Sequence, residues 1–345
     1  MDMNLISQLL SSRRTEDRIR AVKQLSRLSD SESQPLLLRA LRDASNYVAA
    51  LAAEALGTGA DDDAADIMAE RFTYLCEEGL KRDPGCHIRA HLALALGRLD
   101  YRPATDLMRA GIRIVQIEAV GGVPFDTAAH LRANCAIALA QLHAPGAVRD
   151  IALLLFDRSG NATARARPDP AIKVEPRKAA AQALAYLADP CGLIPLAIVL
   201  THPEDEEAEV LQECMQAVVE LEDPRALELL RPYLTHSDPH LAAYAGLMVA
   251  RTGESEAPAL LCELAERLTG DPLRAVVIAL STIRSEAAFA AVCSLAQEGR
   301  EALRLAAIEA LAGTWRVESR QLMQTLAASD GSKAIRAAAQ STLSE

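Results

Sequence analysis

The residues best spaced for chemistry are His87 and His91, four apart and preceded by Cys86, with His130 and Cys135 in the next segment of similar pattern. On a helix, an i, i+4 pair stands on one face and can offer two imidazoles to one metal ion. The set matches no established zinc spacing, and the position of His91 is filled by Asn or Tyr in equivalent segments. His87 and His91 are therefore read first as half-buried or partner-contact residues, with metal ligation as the lesser reading. The chain contains no G-x-S-x-G, H-E-x-x-H, G-x-x-x-x-G-K-[ST] or G-x-G-x-x-G. No catalytic residue is assigned and no cofactor is expected.

A second candidate is basic. Arg158, Arg165, Arg167, Lys173, Arg177 and Lys178 fall within 21 residues, offset by Asp157, Asp169 and Glu175. Guanidinium and ammonium groups on a Gly- and Pro-containing segment suit an anion such as phosphate, propionate or an acidic peptide. The competing reading is a solubilising loop.

What must position these groups is a repeat. The segment Ile88–Leu99, IRAHLALALGRL, reads as one amphipathic helix. Taking Leu96 as its marker, equivalent positions are Leu25, Leu56, Leu139, Leu184, Val218, Val249, Leu280, Leu311 and Leu343. Successive spacings are 31, 40, 43, 45, 34, 31, 31, 31 and 32 residues, room for two short helices and two turns per unit. An Asp precedes many of the second helices as a candidate N-cap: Asp17, Asp43, Asp126, Asp238, Asp271 and Asp330. An Arg recurs near their starts (Arg18, Arg89, Arg132, Arg177, Arg304 and Arg336) and is expected to pair with an Asp of a neighbouring unit.

The pattern (I/L/V)-R-x-x-A-A-x-A-L-G resembles HEAT repeats of the short type found in phycobilisome-lyase proteins, over essentially the whole chain. The resemblance implies an all-α fold, a right-handed α-solenoid of about ten helix pairs, with outer A helices and inner B helices lining a concave side. In that register the fourth and seventh B-helix positions face away from the A layer. Their occupants are His91 and Leu94, Asn134 and Ile137, Tyr244 and Leu247, and Ala275 and Ile278. Apolar patches there suit a partner helix or peptide; the competing reading is packing between neighbouring B helices.

Residues 1–345 are expected to form one solenoid, with 1–30 as an N-terminal cap, 57–187 as enlarged repeats and 188–345 as compact ones. The third, fourth and fifth units exceed 31 residues by 9, 12 and 14, with A helices expected over 64–80, 103–116 and 145–156. Each excess falls between the A and B helices, so the resulting loops, including 118–127 and 157–176, stack on one edge. Insertions on one face often mark a binding face.

Composition narrows the function. With 36 basic against 47 acidic residues the net charge is −11, which argues against a nucleic-acid surface of the HEAT-like DNA glycosylase kind. Aromatic residues are 3%, too few for a base-stacking wall. No apolar run reaches membrane-spanning length. The start reads as a first A helix and not as a signal peptide. Seven Cys without C-x-x-C pairs fit reduced thiols in a cytoplasmic protein.

The first expectation is a non-catalytic scaffold that binds another protein through the concave face and the enlarged edge. The alternative is handling of a tetrapyrrole (bilin) as in phycobilisome-lyase or phycobilisome-degradation proteins. Any enzymatic activity would then be lyase-like. Deoxyhypusine hydroxylase, also built of HEAT repeats, holds iron on His-Glu dipeptides, and none of the seven His here precedes a Glu.

Overall fold

The computed structural model describes residues 3–28, 32–120, 122–157, 170–314 and 316–344. The chain divides into two compact units, Met1–Leu196 and Ala197–Glu345. Both are built from the expected alternation of A and B helices, so the architecture is an all-α solenoid.

In the first unit the pairs are α1 (Met3–Leu10) with α2 (Thr15–Leu25), and α3 (Gln34–Ala40) with α4 (Asn46–Leu56). Next come α5 (Asp62–Glu77), its short continuation α6 (Gly79–Arg82), and α7 (His87–Arg98). Then follow α8 (Thr105–Gly111) with α9 (Ala129–Gln141), and α10 (Ala147–Leu155) with α11 (Pro170–Leu187). The helix α12 (Leu193–Thr201) spans the boundary. The second unit continues with α13 (Ala208–Glu220), α14 (Ala226–Leu230), α15 (Pro239–Arg251), α16 (Ala257–Arg267) and α17 (Gly270–Thr282). It ends with α18 (Glu286–Glu298), α19 (Glu301–Ala312), α20 (Val317–Ser329) and α21 (Lys333–Ser344).

B helices pack on B helices in a row: α2, α4, α7, α9 and α11 in the first unit, and α13, α15, α17, α19 and α21 in the second. The repeat markers form the seam. Leu25, Leu56, Leu96, Leu139 and Leu184 are buried in the first unit, as are Val218, Val249, Leu280 and Leu311 in the second. Leu343, in the last helix, is half-buried.

The Gly of the A-L-G element has a spacing role. A Cβ on Gly57 would lie 2.7 Å from Ala95 Cβ and 2.8 Å from its Cα; one on Gly97 would lie 2.8 Å from Ala138 Cα. Each glycine therefore lets the next B helix approach to backbone contact.

The arginine expectation holds at three positions. Arg18 grips Asp43 of the following turn through Nε at 2.7 Å and Nη2 at 3.1 Å. Arg132 reaches Asp157 at 2.8 Å, and Arg304 pairs with Asp330. Asp43 and Asp330 each also accept the backbone N–H two residues on. These side chains thus close a turn and receive the preceding repeat, instead of capping a helix as expected. Asp238 does cap its helix, accepting from His240 N at 2.8 Å.

Two enlarged repeats depart from expectation. The A helix expected over 103–116 ends at Gly111, and the loop expected at 118–127 is mainly a β-hairpin. Its strands, β1 (Ile117–Val120) and β2 (Val123–Asp126), pair antiparallel with Ile117 opposite Asp126 and Val120 opposite Val123. Gly111 stops close to Cys135 Sγ, and from there the chain alternates side by side, Gln116 inward and Ile117 outward. In the third repeat, the excess forms α6 and a tight turn at Pro84–Cys86, with Gly85 at φ 79° and Cys86 at φ 55°.

Candidate functional site

The described part of the enlarged edge is not a set of loose loops. It is a buried polar network joining the turn of the third repeat to the hairpin of the fourth. Asp83 is completely buried and faces Arg89, only 2% exposed, with Nε to Oδ2 at 3.0 Å. Asp83 also accepts the backbone N–H groups of Ile88 and Arg89 at 3.0 Å each, which anchors the start of α7. Arg89 Nη2 donates to Gln116 Oε1 at 2.6 Å and to Cys86 Sγ at 3.1 Å. Gln116 Nε2 donates to Asp83 O at 3.2 Å and to Glu118 Oε1 at 2.7 Å.

Glu118 closes the circuit. Its Oε1 accepts from Gly85 N at 2.8 Å and from the Thr127 hydroxyl. Burial alone would raise the Glu118 pKa. The hydrogen bonds from Thr127, Gln116 and Gly85 outweigh it and hold the carboxyl below its ordinary 4.5. A depressed carboxyl contributes stability above the unfolded value and loses it as pH falls through the folded one. Glu118→Gln is therefore expected to flatten the acid limb of the first unit's stability curve below about pH 4.5. Thermal melts from pH 6 to pH 3 check this, and parallel acid limbs for both proteins would contradict it.

On the other side of the hairpin, Asp126 accepts from Gln116 N and Ala128 N at 3.1 Å each. It pairs with Arg132 at 2.8 Å. The network explains why the two insertions keep a definite shape: every polar group taken from water has a partner, so its desolvation is compensated. Chemically, the cluster is spent on itself. Burial pushes the Cys86 thiol up to about 12, although Arg89 pulls it the other way, so a nucleophilic thiolate is disfavoured.

The sequence-derived candidates fall as follows. His87 is exposed and His91 half-buried, with His91 Nδ1 bonded to His87 O at 2.8 Å. Cys86 and Cys135 are buried, and His130 is exposed. Among the described residues no three His, Cys, Asp or Glu side chains are grouped as a metal site. Of the basic segment, Arg158, Arg165 and Arg167 lie outside the described residues, as does the side chain of Lys173. Arg177 is not on an open loop: it is buried in α11, its Nε donating to Leu155 O at 2.8 Å. Lys178 is half-buried and sits 3.6 Å from Glu175.

The proposed B-helix stripe lies on the solvent side of the B layer in both units. In the first unit His91, Leu94, Asn134 and Ile137 are half-buried. Asn134 Nδ2 donates to Ala90 O of the neighbouring B helix at 2.8 Å, so this residue also ties repeats together. In the second unit Leu247 is 39% and Ile278 45% exposed, at equivalent places on adjacent B helices. Around them, Tyr244 donates to Gln216 at 3.2 Å and Arg274 grips Glu309 at 2.9 Å. Residue type and spacing alone do not mark Asp83, Gln116, Glu118 and Thr127 as a cluster. The Asp-Pro-Gly turn and the alternation after Gly111 were the available signals.

The comparisons with known proteins concern the fold. Residues 3–74 match the HEAT repeats family. No curated protein matches in sequence. Among solved structures, the chain is similar to an engineered protein, with 17% identity, 98% of this chain and 97% of that one covered, and a TM-score of 0.46. It is similar to the complex of CpcE and CpcF of phycocyanin lyase from Nostoc sp. PCC7120, with 19% identity, 81% and 94% covered, and a TM-score of 0.40. It is also similar to Kap121p bound to Pho4p, with 14% identity and a TM-score of 0.41; there 99% of this chain is covered but only 45% of Kap121p.

Proposed function

We propose that this HEAT-like repeat protein is a non-catalytic scaffold that binds another protein, through the solvent-side B-helix face and the braced edge of the enlarged repeats. One observation carries the reading: Leu247 and Ile278, exposed on adjacent B helices of the second unit, with ion pairs and a tyrosine around them. An apolar centre inside a polar rim is the arrangement that concentrates binding energy in protein interfaces. The edge of repeats three and four supports the reading differently. Its polar groups are consumed internally, so it offers a rigid shape and no reacting group.

The test compares the wild-type protein with Leu247→Glu/Ile278→Glu as bait in an extract of its own cells, with quantitative mass spectrometry. At least one protein is expected to bind the wild type and to fall about tenfold or more with the double variant. Both side chains are partly exposed, at 39% and 45%, so the melting temperature should fall by no more than a few degrees and the variant should stay folded. Equal recovery by both baits, or nothing above background with either, defeats the proposal.

A further inference from the structure

We propose that the solvent-side face of α2 is a docking site for an acidic segment of a partner protein, a short stretch carrying several carboxylates close together. The inference rests on the scaffold reading and names the partner's chemistry for the first unit. In the B-helix register the fourth and seventh positions of α2 are Arg20 and Lys23, and Arg27 follows in the turn that closes the helix. All three are exposed. Among the described residues of this first helix pair, the one cation held by an acid is Arg18, which grips Asp43; Arg20, Lys23 and Arg27 have no ion pair. Together with Glu16, Ile19 and Gln24 they line an open depression of about 340 Å³. Arg13 and Arg14, in the turn before α2, are also exposed and add to the positive potential of this end of the chain.

This face stands apart within its own repeat series. At the three equivalent places no other B helix carries more than one Lys or Arg. The neighbouring α4, which packs on α2, puts an exposed Glu54 where α2 has Lys23. A cation near a helix C-terminus is favourable in itself, but that accounts for one charge and not for three around one depression. Like charges set side by side repel, and an external anion relieves them. The guanidinium fork of arginine matches a carboxylate through paired N–H donors. The surroundings set the size of that anion. Glu16 on α2 and Glu54 on α4 bound the patch, and the chain as a whole carries −11. A nucleic-acid strand or an anionic bilayer would extend past the cations onto these acids, whereas a short acidic segment ends where the patch ends. Ile19, half-buried in the depression, gives the apolar stems of glutamate side chains a surface to lie on.

Fluorescence anisotropy of labelled octaglutamate with the full chain tests it, at about 50 mM salt so that screening stays weak. Octaglutamate is expected to bind saturably, with a Kd on the order of 0.1 mM, and labelled octaglutamine is expected not to bind. Arg20→Glu/Lys23→Glu/Arg27→Glu should weaken octaglutamate binding about tenfold or more. The milder Arg20→Gln/Lys23→Gln, which keeps Arg27 at the end of the helix, should weaken it about threefold and decides the matter if the reversal unfolds the first pair. Arg284→Glu/Arg320→Glu/Lys333→Glu changes the net charge as much at exposed cations of the second unit and should weaken it less than about threefold. Absence of saturable binding overturns the proposal. So do equal losses in the two triple variants, binding unchanged by Arg20→Gln/Lys23→Gln, or tighter binding of oligouridylate or phosphatidylserine vesicles to the same face. Failure here leaves the extract experiment on Leu247 and Ile278 standing, because that experiment reads residues of the other unit.

Discussion

Asp83→Ala is expected to destabilise the first unit by about 3–5 kcal/mol. Asp83 is fully buried and accepts three donors, the Arg89 side chain and the N–H groups of Ile88 and Arg89. Removing it strands a guanidinium that is itself 2% exposed. The cost is dominated by that unpaired buried charge and not by the lost attraction. The double variant Asp83→Ala/Arg89→Met should recover part of the loss, since it removes the charge together with its partner. Glu256→Ala breaks the exposed Arg231–Glu256 pair at 2.7 Å and should stay within about 0.5 kcal/mol of wild type. Denaturant unfolding, with hydrogen exchange at α7 to localise the effect, measures all three. An Asp83→Ala protein as stable as wild type would mean that the network does not hold the edge.

Gly97→Val should rank next. A side chain there meets the Cα and Cβ of Ala138, backbone and first carbon of the neighbouring B helix, which cannot rotate aside. Overpacking of this kind costs about 1–3 kcal/mol, and Val adds two further carbons to the overlap. Gly97→Ala should lose less, because the better helix propensity of Ala returns up to about 1 kcal/mol. Gly313 is the control. The nearest atom to its added Cβ is Ala310 O at 3.8 Å, so Gly313→Ala should be neutral or slightly stabilising. Calorimetric melting of the three variants decides it, and Gly97→Ala matching Gly313→Ala would refute the spacing role.

Much of the architecture was legible because a repeat carries its own signal. A buried leucine or valine at nine of the ten markers, and an arginine aimed at the following turn, recur at intervals that need no knowledge of distant residues. The Arg18–Asp43 and Arg304–Asp330 pairs follow from that register. The same logic placed Leu247 and Ile278 on the open side of the B layer, since helical phase alone decides which face a position takes.

It failed where the period breaks. The repeat register puts Gln116 in an A helix, yet it joins the buried circuit beside a hairpin, because its environment is made by Asp83 and Arg89 of the previous repeat. Charge spacing groups Arg177 with a basic loop, but α11 turns it onto the Leu155 carbonyl. The buried Nε of Arg71, without a hydrogen-bond partner among the described residues, likewise cannot be read from spacing. An unpaired donor is defined by which groups fail to arrive. The chain alone therefore determined the helix pairs, their order and their inward faces, since periodicity along a helix is a local property. Folding in three dimensions determined how the insertions brace one another and which charges are left without a partner, since those depend on neighbours that no fixed interval specifies.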